Sequence, residues 1–245
     1  MQRVAGTGLP SSAPKFPYTQ RSCAAGIASL GCFGLGVQLY CNIEEALETG
    51  SPVASHIVQC LSYFTNETNL LIVLALTAAC ARPHQRRFLT RPDVHSALVV
   101  YIIVVGAVYA LMLRHLWQPE GIQLYADHVL HDAMPLLFTL YWLVFLPKGS
   151  LRWSDPAWWL LFPVAFFIYT MLRGAILGIY PYPFIDPLRL GAARVFLNAS
   201  ALLSIFFVLG VALTAIDRAL AQARGQSRHR RDAGALTNRT ADYSL

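Results

Sequence analysis

The sequence predicts an all-α, polytopic membrane protein of six transmembrane helices with both termini in the cytoplasm, and three observations predict it. First, 56% of the 245 residues are hydrophobic and only 13% charged, against roughly 25% charged in an ordinary soluble domain. The mean hydropathy is +0.47. Second, the apolar residues fall into six runs long enough to cross a hydrocarbon core, which takes about 20 residues of helix. Third, the connections between the runs alternate between basic and non-basic. A soluble helical bundle would carry a polar outer face on each helix, and these runs carry none.

The elements follow in order. Residues 1–20 are rich in Pro, Ser and Gly and predict a disordered tail. The spans are expected at 22–43, 57–81, 95–117, 127–147, 156–180 and 190–215, forming one bundle over 21–218, and residues 219–245 form a basic tail. Arg3, Lys15 and Arg21 precede the first span, and Arg82, Arg86, Arg87 and Arg91 lie between the second and third. Lys148 and Arg152 lie between the fourth and fifth, and Arg218, Arg224, Arg228, Arg230, Arg231 and Arg239 follow the sixth. The first connection instead carries Glu44, Glu45 and Glu48, while the third and fifth hold only Arg114 and Arg189. Basic residues collect on cytoplasmic loops, so the pattern predicts N-in, C-in topology and suits a bacterial inner membrane. It also accounts for the net charge of +6 without a nucleic-acid partner.

The first run exceeds a signal-peptide core in length and follows a polar stretch, so no cleavable signal is expected. Five cysteines lie in or beside the first two spans with no CxxC pair, and read as small packing residues. The Asn-x-Ser/Thr matches at Asn66, Asn198 and Asn238 fall in spans or on the cytoplasmic side, which argues against glycosylation. No inverted pair of broken helices is evident, a feature common in secondary transporters. No cofactor or metal is called for, and oligomeric state is left open.

Ionisable groups inside spans are costly and mark function or specific pairing. Three clusters stand out: the island Tyr63-Phe64-Thr65-Asn66-Glu67-Thr68-Asn69, the run Asp127-His128-Val129-Leu130-His131-Asp132 before Pro135, and Arg173 with Asp186, Arg194 and Asn198. At 1.5 Å per residue, Thr65 is expected roughly 12 Å below the outer end of its span and His131 about 6–9 Å below the start of the fourth. The clusters therefore predict a pocket in the outer half of the bundle. Asp127 and His131 share a helix face, as do His128 and Asp132, and as do Thr65 and Asn69. A carboxylate one turn before a histidine fixes its tautomer and raises its basicity, and a Thr hydroxyl needs such a base to act as nucleophile. Thr65, His131 and Asp127 thus form a candidate nucleophile, base and orienter. Asn69, Glu67, His128, Asp132, Arg173, Asp186, Arg194 and Asn198 are the candidate pocket residues. The competing reading of the same groups is structural: hydrogen-bonding glue between helices and charge neutralisation, with Arg173 and Arg194 paired to Glu67, Asp127 or Asp186.

The stretches YFTNETNLL, GIQLYADHVLHDAMPLL, FLPKGSLRW, YTMLRGAILGIYPYPFID and ARVFLN resemble a bacterial family of six-helix integral membrane proteins across nearly 20–218. More distantly, three places resemble the eukaryotic androgen-induced protein family of membrane-embedded threonine hydrolases. These are His128-x-x-His131 followed by Pro135, Tyr182-Pro183-Phe184-Ile185-Asp186 with a following Arg194, and Phe64-Thr65. That resemblance implies hydrolysis of fatty acid esters of hydroxy fatty acids, with Thr65 as nucleophile and His131 as its base. The chain departs from the family in a His-to-Pro spacing one residue shorter and in the polar run after Thr65, which leaves Thr68 as a rival nucleophile.

Three functions therefore stand beside one another. The first is an intramembrane lipid esterase acting on a membrane lipid or lipophilic substrate. The second is a metal-dependent membrane hydrolase with ligands from His128, His131 and a carboxylate. The third is a non-enzymatic transporter, channel or lipid-binding protein.

Overall fold

A computed structural model describes residues 18–81, 88–116 and 118–242, with side chains described as far as residue 226. Arg82, Arg86 and Arg87 of the basic second connection, Arg3 and Lys15, and the side chains of Arg228, Arg230, Arg231 and Arg239 lie outside the described residues. Every regular element described is helical. The helices are α1 (Tyr18–Glu48), α2 (Val53–Leu61), α3 (Phe64–Ala81), α4 (Pro92–Val108), α5 (Gly121–His128), α6 (Met134–Phe145), α7 (Asp155–Trp159), α8 (Leu161–Leu177), α9 (Pro187–Leu190) and α10 (Ala192–Asp242). Single π-turns at Tyr109–Leu113 and Val129–Ala133 extend α4 and join α5 to α6. Six of the resulting helices are long and apolar enough to cross a membrane. The chain is an all-α, multi-pass integral membrane protein. Successive spans alternate in direction, so the first, third and fifth connections gather at one end, near Thr65, and the others at the end near Lys148.

Three boundaries differ most from the sequence reading. The second span is not one continuous helix from residue 57, because the chain breaks at Ser62 and Tyr63 between α2 and α3. Thr65 consequently sits in the first turn of α3 rather than well inside a helix. The fourth span starts six residues earlier than expected, at Gly121, so His131 lies roughly 15 Å along it. The sixth runs without interruption through α10, past the expected boundary at residue 218.

Prolines shape the bundle, and side chains from neighbouring spans repair what they disturb. Pro163 has no N–H to offer the carbonyl of Trp159, and the Tyr101 hydroxyl donates to that oxygen at 2.5 Å. In the fourth span Met134 N–H reaches back to Val129, and position 135, the next donor in π register, is again a proline. The Leu130 carbonyl is thereby left open, and Asn69 Nδ2 of α3 donates to it at 3.3 Å. Free backbone acceptors in lipid are costly, which explains both cross-span bonds. Small residues let the backbones close around the same turn. A Cβ on Gly34 of α1 would lie 2.8 Å from Val129 Cγ1, and one on Gly106 of α4 would lie 3.2 Å from the His131 carbonyl oxygen. The core between the spans is aliphatic and aromatic, centred on Ile72, Leu76, Val99, Ile102, Met134 and Phe138.

Candidate functional site

The fourth span presents the densest polar constellation. Asp127 and His131 lie one turn apart, and His131 Nδ1 stands 3.1 Å from Asp127 Oδ1 and 3.0 Å from the Asp127 carbonyl oxygen. Nδ1–H donates toward both, which leaves Nε2 as the basic nitrogen. Nε2 has no hydrogen-bond partner among the described residues. The Tyr109 hydroxyl donates to the other carboxylate oxygen, Oδ2, at 2.5 Å, and the Tyr109 ring stacks on the His131 imidazole, centroids 3.8 Å apart. Asp127 is buried, so both of its oxygens are engaged where water is scarce. Both π-turns fall here, and such turns recur at functional sites because they re-aim side chains. Arg114 follows the first of them and ion-pairs with Asp132, whose second oxygen faces His128 Nδ1 at 2.8 Å. His128 and Asp132 therefore form a separate, exposed pair beside the buried Asp127–His131 pair.

Thr65 belongs to a different space. It lines a cavity of about 90 Å³ between α3, α4, α8, α10 and the fifth connection, walled by Phe166, Phe167, Phe184 and Phe206 among other apolar residues. Among the described residues, the only polar side chains on this wall are Thr65 and Tyr182. The Tyr182 hydroxyl accepts from the Phe64 backbone N–H at 2.9 Å and stands against the Thr65 hydroxyl, while burial pushes its own pKa up. The cavity exceeds the room one water needs, but its lining suits an apolar occupant. The break at Ser62 and Tyr63 produces this arrangement, since it places the unpaired N–H groups of a helix start beside Tyr182.

The end of the third span stands between the two spaces. Val108 and Leu113 face the cavity, while Tyr109 faces His131. Among the described residues no hydrogen bond joins Thr65 to His131. The link between them is Asn69, whose Nδ2 donates to the Thr65 carbonyl at 2.9 Å and to that of Leu130, the neighbour of His131. Thr68 is fully buried and its hydroxyl has no partner. Glu67 is partly buried, with no ion pair among the described residues.

The remaining sequence candidates fall elsewhere. Arg173 Nη2 donates to Gln59 Oε1 at 2.6 Å. Arg194 is exposed on α10. Neither arginine pairs with Glu67, Asp127 or Asp186 among the described residues. Asp186 accepts from Leu188 N–H at 2.9 Å and caps α9, with Arg189 nearby at 3.7 Å. Asn198 Nδ2 donates to the Phe184 carbonyl at 2.8 Å and anchors the fifth connection. Two residues escape the sequence reading, Tyr109 and Gln59, and Tyr182 figures in it only as part of a motif. Tyr109 sits in a span without any polar motif, and its phenol gives no signal until the π-turn aims it. No group of three His, Cys, Asp or Glu among the described residues is arranged to hold a metal ion. Compared with known proteins, the chain matches no family model, no curated protein and no solved structure.

Proposed function

We propose that this protein binds a lipophilic ester within its bundle and hydrolyses it, with Thr65 as nucleophile, His131 as base and Asp127 as orienter. The observation that carries this reading is the apolar cavity whose only polar lining groups among the described residues are the Thr65 and Tyr182 hydroxyls. An acyl chain would occupy the aromatic wall, its carbonyl carbon against Thr65. Attack forms the Thr–O–acyl bond as the hydroxyl proton passes to His131 Nε2. The alcohol leaves with that proton, and water then releases the acid. Asp127, held by Tyr109, keeps the imidazole in the tautomer this needs. His131 lies outside the cavity, behind Val108 and Leu113, so the mechanism requires substrate entry to displace the end of the third span and bring Nε2 to Thr65. The protein would sit in a bacterial inner membrane with its Lys148 end in the cytoplasm, as the basic connections favour.

Fluorophosphonate labelling of purified protein tests the mechanism. Wild type is expected to label, and Thr65→Ala and His131→Ala to lose labelling. Equal labelling of all three would sink the Thr65–His131 pair, and loss in Thr68→Ala alone would transfer the role to Thr68.

A second reading has an observation of its own. The chain from Tyr109 to Asp127 to His131 is a hydrogen-bonded relay, and it is separated from Thr65 by the end of α4, as suits a proton pathway in a transporter. Proton flux into liposomes that depends on His131 but not on Thr65, without labelling, would favour it.

A further inference from the structure

Among the described charged side chains of the six spans, Arg173 combines burial with the lack of any carboxylate partner. It lies near the end of α8, partly buried. One of its nitrogens, Nη2, donates to the neutral oxygen of Gln59. Its Nε is buried with no hydrogen-bond partner among the described residues. A guanidinium in a span is costly unless an anion meets it, and its planar fork matches carboxylate or phosphate oxygens.

A second group lies beside it. Thr170 precedes Arg173 by one turn on α8, is 2% exposed, and its hydroxyl is also unpartnered. A helical Thr ordinarily returns its hydroxyl to a carbonyl one turn back, and this one does not. Residues three apart on a helix are neighbours, so the Thr170 hydroxyl and Arg173 Nε, both buried and without a partner among the described residues, lie on one face of α8. Phe166, one turn before Thr170, belongs to the wall of the Thr65 cavity. Gln59 Nε2 reaches Tyr63 at 3.4 Å, and Tyr63 packs edge-on against Tyr182 at 5.8 Å. Arg173 and Thr170 thus stand above the cavity on the α8 side, joined to its rim through Gln59 and Tyr63.

We propose that Arg173 and Thr170 form an anion-recognition site that binds the charged oxygens of an amphiphile whose apolar chain fills the Thr65 cavity. The shared chemistry is an anionic oxygen group on a lipid, either a free carboxylate or a phospholipid phosphate. The proposal rests on the cavity being a lipid site but not on hydrolysis, so it is read by binding in a Thr65→Ala background, where a failed esterase mechanism has no effect.

The probes are a fluorescent long-chain fatty acid and its methyl ester, titrated into protein in dodecyl maltoside micelles, which carry no phosphate. The acid is expected to bind about ten-fold more tightly than the ester, a difference of about 1.4 kcal/mol. Arg173→Gln is expected to bring the ratio below about two, Arg173→Lys to keep most of it, and Thr170→Val to reduce it about three-fold. Thermal melts confirm that each variant is folded, and Thr170→Val provides the milder arm if Arg173→Gln is not. Adding phosphatidylglycerol to the micelles separates the sources. Arg173-dependent displacement of the acid supports the site with phospholipid phosphate as its ligand, and no displacement supports it with the free carboxylate. Equal binding of acid and ester by the Arg173-containing protein, or a ratio that Arg173→Gln leaves unchanged, overturns the proposal.

Discussion

The two ends of the bundle use buried polar groups in opposite ways. At the Lys148 end most buried polar groups are spent on another, with His95 Nδ1 and Thr139 Oγ1 the exceptions among the described residues. Asp217 of α10 is 1% exposed, and its Oδ2 accepts from the backbone N–H of Gly149 at 2.8 Å and of Leu151 at 3.3 Å. Arg218 donates to the Leu151 carbonyl, Lys148 to that of Trp142, and the Trp142 indole to Ser96. The fourth connection is thereby latched onto the sixth span. At the Thr65 end, hydrogen-bonding capacity is left over: Thr68 Oγ1, Asn69 Oδ1, Thr170 Oγ1 and Arg173 Nε are buried without partners, and His131 Nε2 is open. A satisfied network rigidifies, whereas a buried unsatisfied group is paid for elsewhere and calls for an explanation. The contrast separates scaffold from site without reference to any activity.

The largest expected effect breaks the scaffold and spares the site. Asp217→Ala removes the acceptor for two backbone donors: the buried Leu151 N–H costs roughly 1–3 kcal/mol when left unpaired, and the exposed Gly149 N–H costs less because water can meet it. A loss of roughly 2–4 kcal/mol is expected in unfolding followed by circular dichroism, with ligand binding per folded molecule unchanged. Asp217→Asn, which keeps one oxygen, is expected to cost less. If Asp217→Ala instead abolished binding in folded protein, the division between the two ends would be wrong.

How much of this was legible in the sequence differs between the ends. The spans were legible because hydropathy is a sum over some twenty residues and tolerates local irregularity. The Asp127–His131 pair was legible because helical spacing fixes which side chains meet one turn apart. Tyr109 was not, since its place over His131 depends on a π-turn and on the packing of two spans. The break at Ser62 was hidden because the run around it is neither proline nor glycine, and it decides that Thr65 opens a helix. Asp217 and Trp142 were likewise invisible: the basic residues nearby read as topology, while the carboxylate among them serves backbone donors of a loop distant in sequence. Arg173 was legible as a costly group, but its partner was not, because Gln59 is neutral.

The next effect in size concerns the site. Asp127→Asn keeps the shape of the Tyr109–Asp127–His131 chain but removes the charge that favours the catalytic tautomer. Labelling by fluorophosphonate is expected to fall about 10²-fold with little change in melting temperature. Tyr109→Phe keeps the ring on His131 and loses one hydrogen bond to a charged group, about 1–2 kcal/mol, so a several-fold fall is expected. A fall in Tyr109→Phe as large as in Asp127→Asn would mean that the phenol takes a more direct part than holding the carboxylate.

The smallest effect sharpens the account of the Lys148 end, where one group is not at ease. Lys148 lies over the Trp142 ring at 3.5 Å, and burial holds its pKa down to about 8, with Asp217 opposing the shift. In the unfolded chain the group titrates near 10.4. Between these values the unfolded chain binds more protons than the folded one, so stability rises as pH increases through that window. The unfavourable contribution of the buried cation is fully present below pH 8 and disappears toward 10.4. Lys148 is only partly buried, so solvent screening limits the gain to roughly 1 kcal/mol or less. Melting temperature measured from pH 7.5 to 10 is therefore expected to rise more in wild type than in Lys148→Met, which carries no titrating group at this position. The difference between the two profiles isolates Lys148 from the tyrosines and cysteines that titrate in the same range. Parallel profiles would mean that Lys148 is fully solvated, and the latch would then rest on Asp217, Arg218 and Trp142 alone.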